Sequence, residues 1–288
     1  MVFDTSKNGR GGSAGAVTTA SSWTPPACYY APAWTPKEIG AQMRQVWESS
    51  APSHEWALDS QNYFVNGDPY KNFNEAKADK GYWWDSFVTE GREADPASQD
   101  CDERPFWVDK GAAAPAEVPQ AITSEMLAQL AYAEIRVPST KVDLAPRDAT
   151  KVNLPTWAWL DTAEFEPVSV TASVPLLGLS ATTTAEPVSL TITPGTDDAV
   201  TYPASGPCAI RNGRIGEPYA KGRADGTPPC GVKYLRSSGD SSFKLRATLA
   251  WKISWTSTTG QGGALPNGTF GADQDVVVQE IQAVNRGR

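Results

Sequence analysis

The stretch from Phe243 to Thr256, FKLRATLAWKISWT, alternates without a break. Phe243, Leu245, Ala247, Leu249, Trp251, Ile253 and Trp255 fall on one parity. Lys244, Arg246, Thr248, Lys252, Ser254 and Thr256 fall on the other, with only Ala250 neutral among them. Successive side chains of a strand point to opposite faces, so a period of two sorts apolar from polar residues. A helix would spread the same apolar residues around its whole circumference. The stretch therefore reads as a long strand with one face on a core and the other in water.

The same period governs the chain from Val137 onward. Trp157 and Trp159 flank Ala158, and Val168, Val170, Ala172 and Val174 alternate with Ser169, Thr171 and Ser173. After a segment from Leu179 to Ala185, Val188, Leu190 and Ile192 alternate with Ser189, Thr191 and Thr193. The apolar parity flips across Glu186-Pro187, which predicts a bulge or a strand that changes sheets. A Gly- and Pro-rich loop carrying Cys208 and Cys230 follows, then a strand near Val232–Leu235. Beyond the long strand, Gly260–Gly271 reads as a glycine loop and about Val276–Ile281 as a last strand. Short strands between turn signals, with no helical pattern among them, predict an antiparallel, immunoglobulin-like β-sandwich over residues 137–288.

The N-terminal half has a different grammar. Residues 1–22 are rich in Gly, Ser, Thr and Ala without periodicity and read as a flexible lead. Thr35 is a candidate helix cap, Pro36 suits the first helical position and Glu38 completes a capping box. Ile39, Met43, Val46 and Trp47 then share one helical face, and the helix should stop near Ser49–Ser53. A second helix is expected from Ser53 through Phe64, anchored by Trp56 and Tyr63. Residues 65–110 interleave aromatics with acids and read as loops and short elements. A spacer at 111–121 leads to a helix from Thr123 or Ser124 to about Ile135, ended by Val137-Pro138. The expected fold class is thus α+β, mainly β, with a small helical, aromatic-rich module at 23–136 ahead of the sandwich.

Charge narrows the partners. The chain carries a net charge of −8, and residues 1–150 hold 21 acidic and 13 basic side chains against 12 of each in residues 151–288. An acidic half beside a neutral one is the wrong distribution for nucleic acid or an anionic membrane surface. No run reaches the roughly 20 apolar residues of a membrane span, so no membrane insertion is expected. Of the three pairings open to four cysteines, one bridge per half, Cys28–Cys101 and Cys208–Cys230, is the simplest. All four sit in Pro-, Gly- or Asp-rich contexts rather than apolar runs, which favours bridges and an oxidising compartment. The opening 22 residues show no hydrophobic signal core. The expectation is a mature, secreted chain with a restored start Met, its signal lying upstream.

Catalytic signatures are sparse. His54 is the sole histidine, and with no GxSxG elbow it reads as a surface loop residue rather than a triad base. One histidine and no CxxC leave no usual zinc set, so no metal and no cofactor are expected. Asp197-Asp198 and Asp273-Gln274-Asp275 match no calcium loop. Gly9–Gly15 does not open a helical pattern, and Gly260–Gly263 does not either, so neither forms a phosphate cradle. The best binding candidates are Trp83, Trp84, Asp85, Glu90, Glu93 and Trp107, since aromatic faces beside carboxylates suit sugars. Adjacent Trp83 and Trp84 would expose one ring from a strand, and the pair is the leading exposed aromatic contact. Carboxylates of the 85–109 segment are also the candidates for glycosidase chemistry, which needs two facing acids. Trp157/Trp159 and Trp251/Trp255, at period two, read as core.

The segments SSWTPPACYYAP, GYWWDS, NLPTWAWLD, PPCGVKYLRSS, LAWKISWT and LPNGTFGADQDVVVQEIQAVN resemble secreted proteins of Streptomyces-like actinobacteria. That group is of undefined function, and some members carry an "enoyl reductase" label. The resemblance implies a secreted or cell-wall-associated protein and transfers no catalytic residues. This sequence has neither a dinucleotide fingerprint nor a Tyr-x-x-x-Lys at a helical position, which speaks against the reductase label. The leading expectation is a non-enzymatic binding or structural protein contacting another protein or an envelope glycan. A carbohydrate-active enzyme, and an inhibitor or assembly subunit of a secreted complex, are the alternatives.

Overall fold

The computed structural model describes residues 1–9, 14–19, 23–49, 54–147, 149–161, 165–223 and 226–280. The protein is mainly β, with large antiparallel sheets and, among the described residues, three α-helices: Pro36–Ser49, His54–Phe64 and Ser124–Ala133. It divides into two compact units. The first comprises Met1–Val2, Pro25–Leu130 and Ser173–Ser180, the second Phe3–Thr24, Ala131–Ala172 and Ala181–Arg288.

The first unit is built on a three-stranded antiparallel sheet, with Gly81–Val88 between Cys28–Trp34 and Phe106–Asp109. Among the loops and short elements expected through 65–110, Gly81–Val88 and Phe106–Asp109 are thus strands of one sheet. Period-two alternation marks strands with one wet face, and burial does not alternate along Gly81–Val88: adjacent Trp83 and Trp84 are both buried, while Ser86, Phe87 and Val88 are all exposed. Neighbouring Trp83 and Trp84 point to opposite faces and are both buried. Trp83 joins Ile39, Phe64, Phe73 and Trp107 in one apolar cluster, while Trp84 lies near Phe106, ring centroids 6.1 Å apart.

The first helix is set as its cap predicts. The Thr35 amide donates to the Glu38 carboxylate at 2.7 Å, and the Glu38 amide donates to the Thr35 hydroxyl at 3.3 Å. Ile39 is buried, and Met43 and Trp47 pack on the same cluster. The helix ends at Ser49, and residues 50–53 lie outside the described residues. Tyr63 anchors the second helix as expected, but Trp56 is 41% exposed and does not.

In the second unit the sheet runs through Ala199–Tyr202, Gly231–Tyr234, Pro155–Leu160, Arg214–Gly216, Cys208–Arg211, Leu179–Thr193, Phe243–Ser257, Gly262–Gln279 and Thr18–Thr19. Phe243–Ser257 lies between two long partners. On its core parity Leu245, Ala247, Leu249, Trp251, Ile253 and Trp255 are all buried. Leu179–Thr193 is one continuous strand whose register to Phe243–Ser257 shifts between Pro187 and Ser189. Ala181, Thr183 and Ala185 are buried before the shift, Leu190 and Ile192 after it, and Val188 is 49% exposed at the bulge. The parity flip in the sequence is thus a bulge within a single strand.

Two expectations are corrected here. Gly260–Gly271 is a strand from Gly262 onward, because Gly262–Gln279 is continuous. Its glycines are there for close approach: a β-carbon on Gly268 would lie 2.7 Å from the Thr18 carbonyl oxygen, and one on Gly271 2.9 Å from that of Ala247. Nor is the lead flexible throughout. Val2–Lys7 pairs with Val168–Val174, Gly15–Ala16 with Arg136–Val137, and Thr18–Thr19 with Gly268–Thr269. A β-carbon on Gly15 would meet the Phe270 ring at 2.1 Å, so glycine there admits a ring instead of signalling freedom. Residues 10–13 and 20–22 lie outside the described residues.

Candidate functional site

The aromatic residues chosen from the sequence are brought together, but as core. Trp83 is 0% exposed, Trp84 3% and Trp107 9%. The expected exposed tryptophan platform is corrected: a ring that binds a sugar face must be open to solvent, and these are closed. The polar edges of Trp83 and Trp107 are satisfied internally. The Trp83 indole donates to the Phe73 carbonyl at 2.9 Å, and the Trp107 indole to Asp109 Oδ1 at 2.6 Å. Trp157, Trp251 and Trp255 are buried in the second unit, and Trp159 is half-buried.

The acids of the same segment lie outside that core. Asp85 is half-buried and accepts the Trp34 indole N–H at 3.1 Å and the Ser86 amide at 2.8 Å. Glu90, Glu93, Asp100, Asp102, Glu103 and Asp109 are exposed. Hydrogen bonds from its own amide and that of Gly91 hold the Glu93 carboxyl below its ordinary range. Asp95 is lowered first by the Arg92 guanidinium that pairs with it, then by the Ala97 amide, which it caps at 2.9 Å. A general acid of a glycosidase needs the opposite shift, a carboxyl kept protonated by an apolar site.

The loop that carries these acids is pinned along its length. Cys28 and Cys101 form a disulfide. The Thr89 hydroxyl donates to the Pro26 carbonyl at 2.7 Å, the Glu103 amide to the Tyr30 hydroxyl at 2.8 Å, and the Tyr63 hydroxyl to the Pro105 carbonyl at 3.2 Å. Desolvation, followed by repulsion from Tyr70, raises the Tyr63 phenol strongly, so it stays a neutral donor. The exposed carboxylates therefore project from a fixed backbone.

The other candidates resolve simply. Asp273 pairs with Arg246 at 2.9 Å, Asp275 with Lys244 at 2.8 Å and Asp198 with Arg236 at 3.0 Å. Among the described residues no group of three or more His, Cys, Asp or Glu is placed to hold a metal ion. His54 opens the second helix, and its side chain lies outside the described residues. No helix among the described residues is long and apolar enough to cross a membrane.

One feature of the second unit escaped the sequence reading. The Cys208–Cys230 disulfide borders an open cleft of about 870 Å³ whose lining includes Arg211, Asn212, Arg214 and Glu217. Arg211 and Arg214 stand opposite each other across a two-residue turn, Asn212-Gly213, with φ of 51° and 72°. The signal was legible: Asn-Gly between β-type residues is the strongest short-range hairpin cue, and here it is flanked by arginine on both sides. Compared with known protein families, curated proteins and solved structures, the chain matches none.

Proposed function

We propose that this is a secreted or cell-surface protein that binds another protein without catalysis. In this reading an immunoglobulin-like β-sandwich accompanies a small helical, aromatic-rich module. The observation that carries the reading is the exposed acidic surface formed by Glu90, Glu93, Asp100, Asp102, Glu103 and Asp109, on a stapled backbone beside a buried tryptophan core. Pre-organised charge costs little ordering on association and steers a partner of opposite sign. The occluded Trp83, Trp84 and Trp107 tilt the choice from glycan to protein, since a glycan site would need one of those faces open. The two disulfides support an oxidising, extracellular setting.

The test is capture by the oxidised protein from native culture fluid and cell-wall extract, run beside a glycan array and a polysaccharide turnover assay. A stoichiometric basic protein is expected, released by raised salt and lost in the combined variant Glu90→Gln, Glu93→Gln, Asp102→Asn, Glu103→Gln. Retention of glycan alone, or robust turnover, would refute the reading.

A further inference from the structure

We infer that the cleft beside the Cys208–Cys230 bridge is a second binding site, for an acidic peptide segment, with Arg211 as its principal anchor. It is built from residues of the second unit, none of them part of the acidic surface, and takes a ligand of opposite charge to that surface's.

Arg211 and Arg214 are direct cross-strand partners, so their side chains leave the same face of the hairpin. Like charges placed directly opposite destabilise a sheet unless something neutralises them. Arg214 is partly answered by Asp161, Nε to Oδ1 at 3.5 Å. Glu217, the acid in the lining, is already engaged by Arg223 at 3.3 Å. Arg211 has no ion pair among the described residues. It is exposed, at the end of a strand whose neighbour Ile210 pairs with the fully buried Ile215. The guanidinium is thus carried on a rigid backbone with its donors unspent, and a planar fork of that kind suits a carboxylate.

The walls favour polypeptide. Pro203, Pro207, Pro218 and Pro229 line the cleft, two of them adjoining the bridged cysteines in sequence. Their rings offer apolar surface of fixed shape and no N–H of their own. Asn212 and Ser205 supply side-chain donors and acceptors for a main chain lying between those rings. No aromatic ring lines the cleft to cover a sugar face. Two arginines beside a glutamate are too short a basic track for a polyphosphate backbone.

The test uses the full oxidised chain and a fluorescein-labelled hexaglutamate peptide, read by polarisation. Saturable binding is expected that weakens as salt rises. Arg211→Gln should weaken it roughly ten- to hundredfold, the worth of a charge-assisted pair, and Arg214→Gln less. Lys252→Gln, on the wet face of Phe243–Ser257, should leave it unchanged. An unaltered thermal midpoint for Arg211→Gln would show the fold intact. Equal binding by Arg211→Gln, no binding of hexaglutamate, stronger competition by oligogalacturonate, or self-association in place of peptide binding would each overturn the inference. The four-site acidic variant should bind hexaglutamate normally, so loss of one activity is separable from loss of the other.

Discussion

The indole N–H of Trp83 donates to the carbonyl of Phe73 at 2.9 Å, and Phe73 sits at φ 54°, between Asn72 at 45° and Asn74 at 58°. A bulky residue in the left-handed region is disfavoured, and its neighbours must hold it there. Phe73 is buried against Trp83, Phe64 and Trp47. Trp83→Phe keeps most of the ring but removes the donor, leaving a buried carbonyl unpaired. It should cost about 1–3 kcal/mol in chemical denaturation, whereas Trp83→Ala should cost about 3–5 kcal/mol.

The bulge at Val188 separates two residues that look alike in sequence. Val188→Thr should lie within about 0.5 kcal/mol of the parent, since the side chain faces water. Leu190→Ala, two residues on and fully buried, should cost about 2–5 kcal/mol. Equal losses in a paired urea titration would place the bulge elsewhere.

The first helix should show its capping box in acid. Hydrogen bonds from the Thr35 amide and then its hydroxyl lower the Glu38 pKa. A depressed folded pKa contributes stability above the unfolded value, which is lost as pH falls through the folded one. Thermal midpoints of Glu38→Gln should therefore converge on the parent's below that range and lie under it near neutrality. Thr35→Ala should cost about 1 kcal/mol.

Gly268→Ala should release the strand Thr18–Thr19. The new methyl would fall 2.4 Å from Val17 Cγ1 and 2.7 Å from the Thr18 carbonyl oxygen. Hydrogen exchange should show lost protection at residues 18 and 19 with little change at Leu249 or Ile253.

The bridges close loops of unequal size, with sequence separations of 73 and 22. Loop-closure entropy assigns the first about 4 kcal/mol and the second about 3 kcal/mol. Double serine variants should rank in that order in chemical denaturation.

How much of this was legible follows from solvent. Phe243–Ser257 has one wet face, so its alternation could be read directly, and Val188 shows as a slip in the same rhythm. Burial does not alternate along Gly81–Val88, where Trp83 and Trp84 are both enclosed and Ser86, Phe87 and Val88 are all exposed, so the two tryptophans side by side looked like an exposed pair. The glycines of Gly262–Gln279 looked like a loop because close backbone approach leaves the same letter in the sequence as flexibility. Among the binding candidates, Glu90 and Glu93 were found at the surface as an acid-rich segment suggests. The cleft at Arg211 was missed because it joins residues on either side of a turn and a disulfide, and a linear reading weighs each alone.

The Cys28–Cys101 bridge also decides how the chain would carry load. If it is pulled from its two ends, tension crosses the sulfur bond and bypasses the loop between the cysteines, a sequence separation of 73. At full extension that shortens the oxidised chain by roughly 250 Å. Trp83, Trp84, Glu90 and Glu93 lie inside the bypassed span, so reduction would convert a shielded segment into one that bears the whole force.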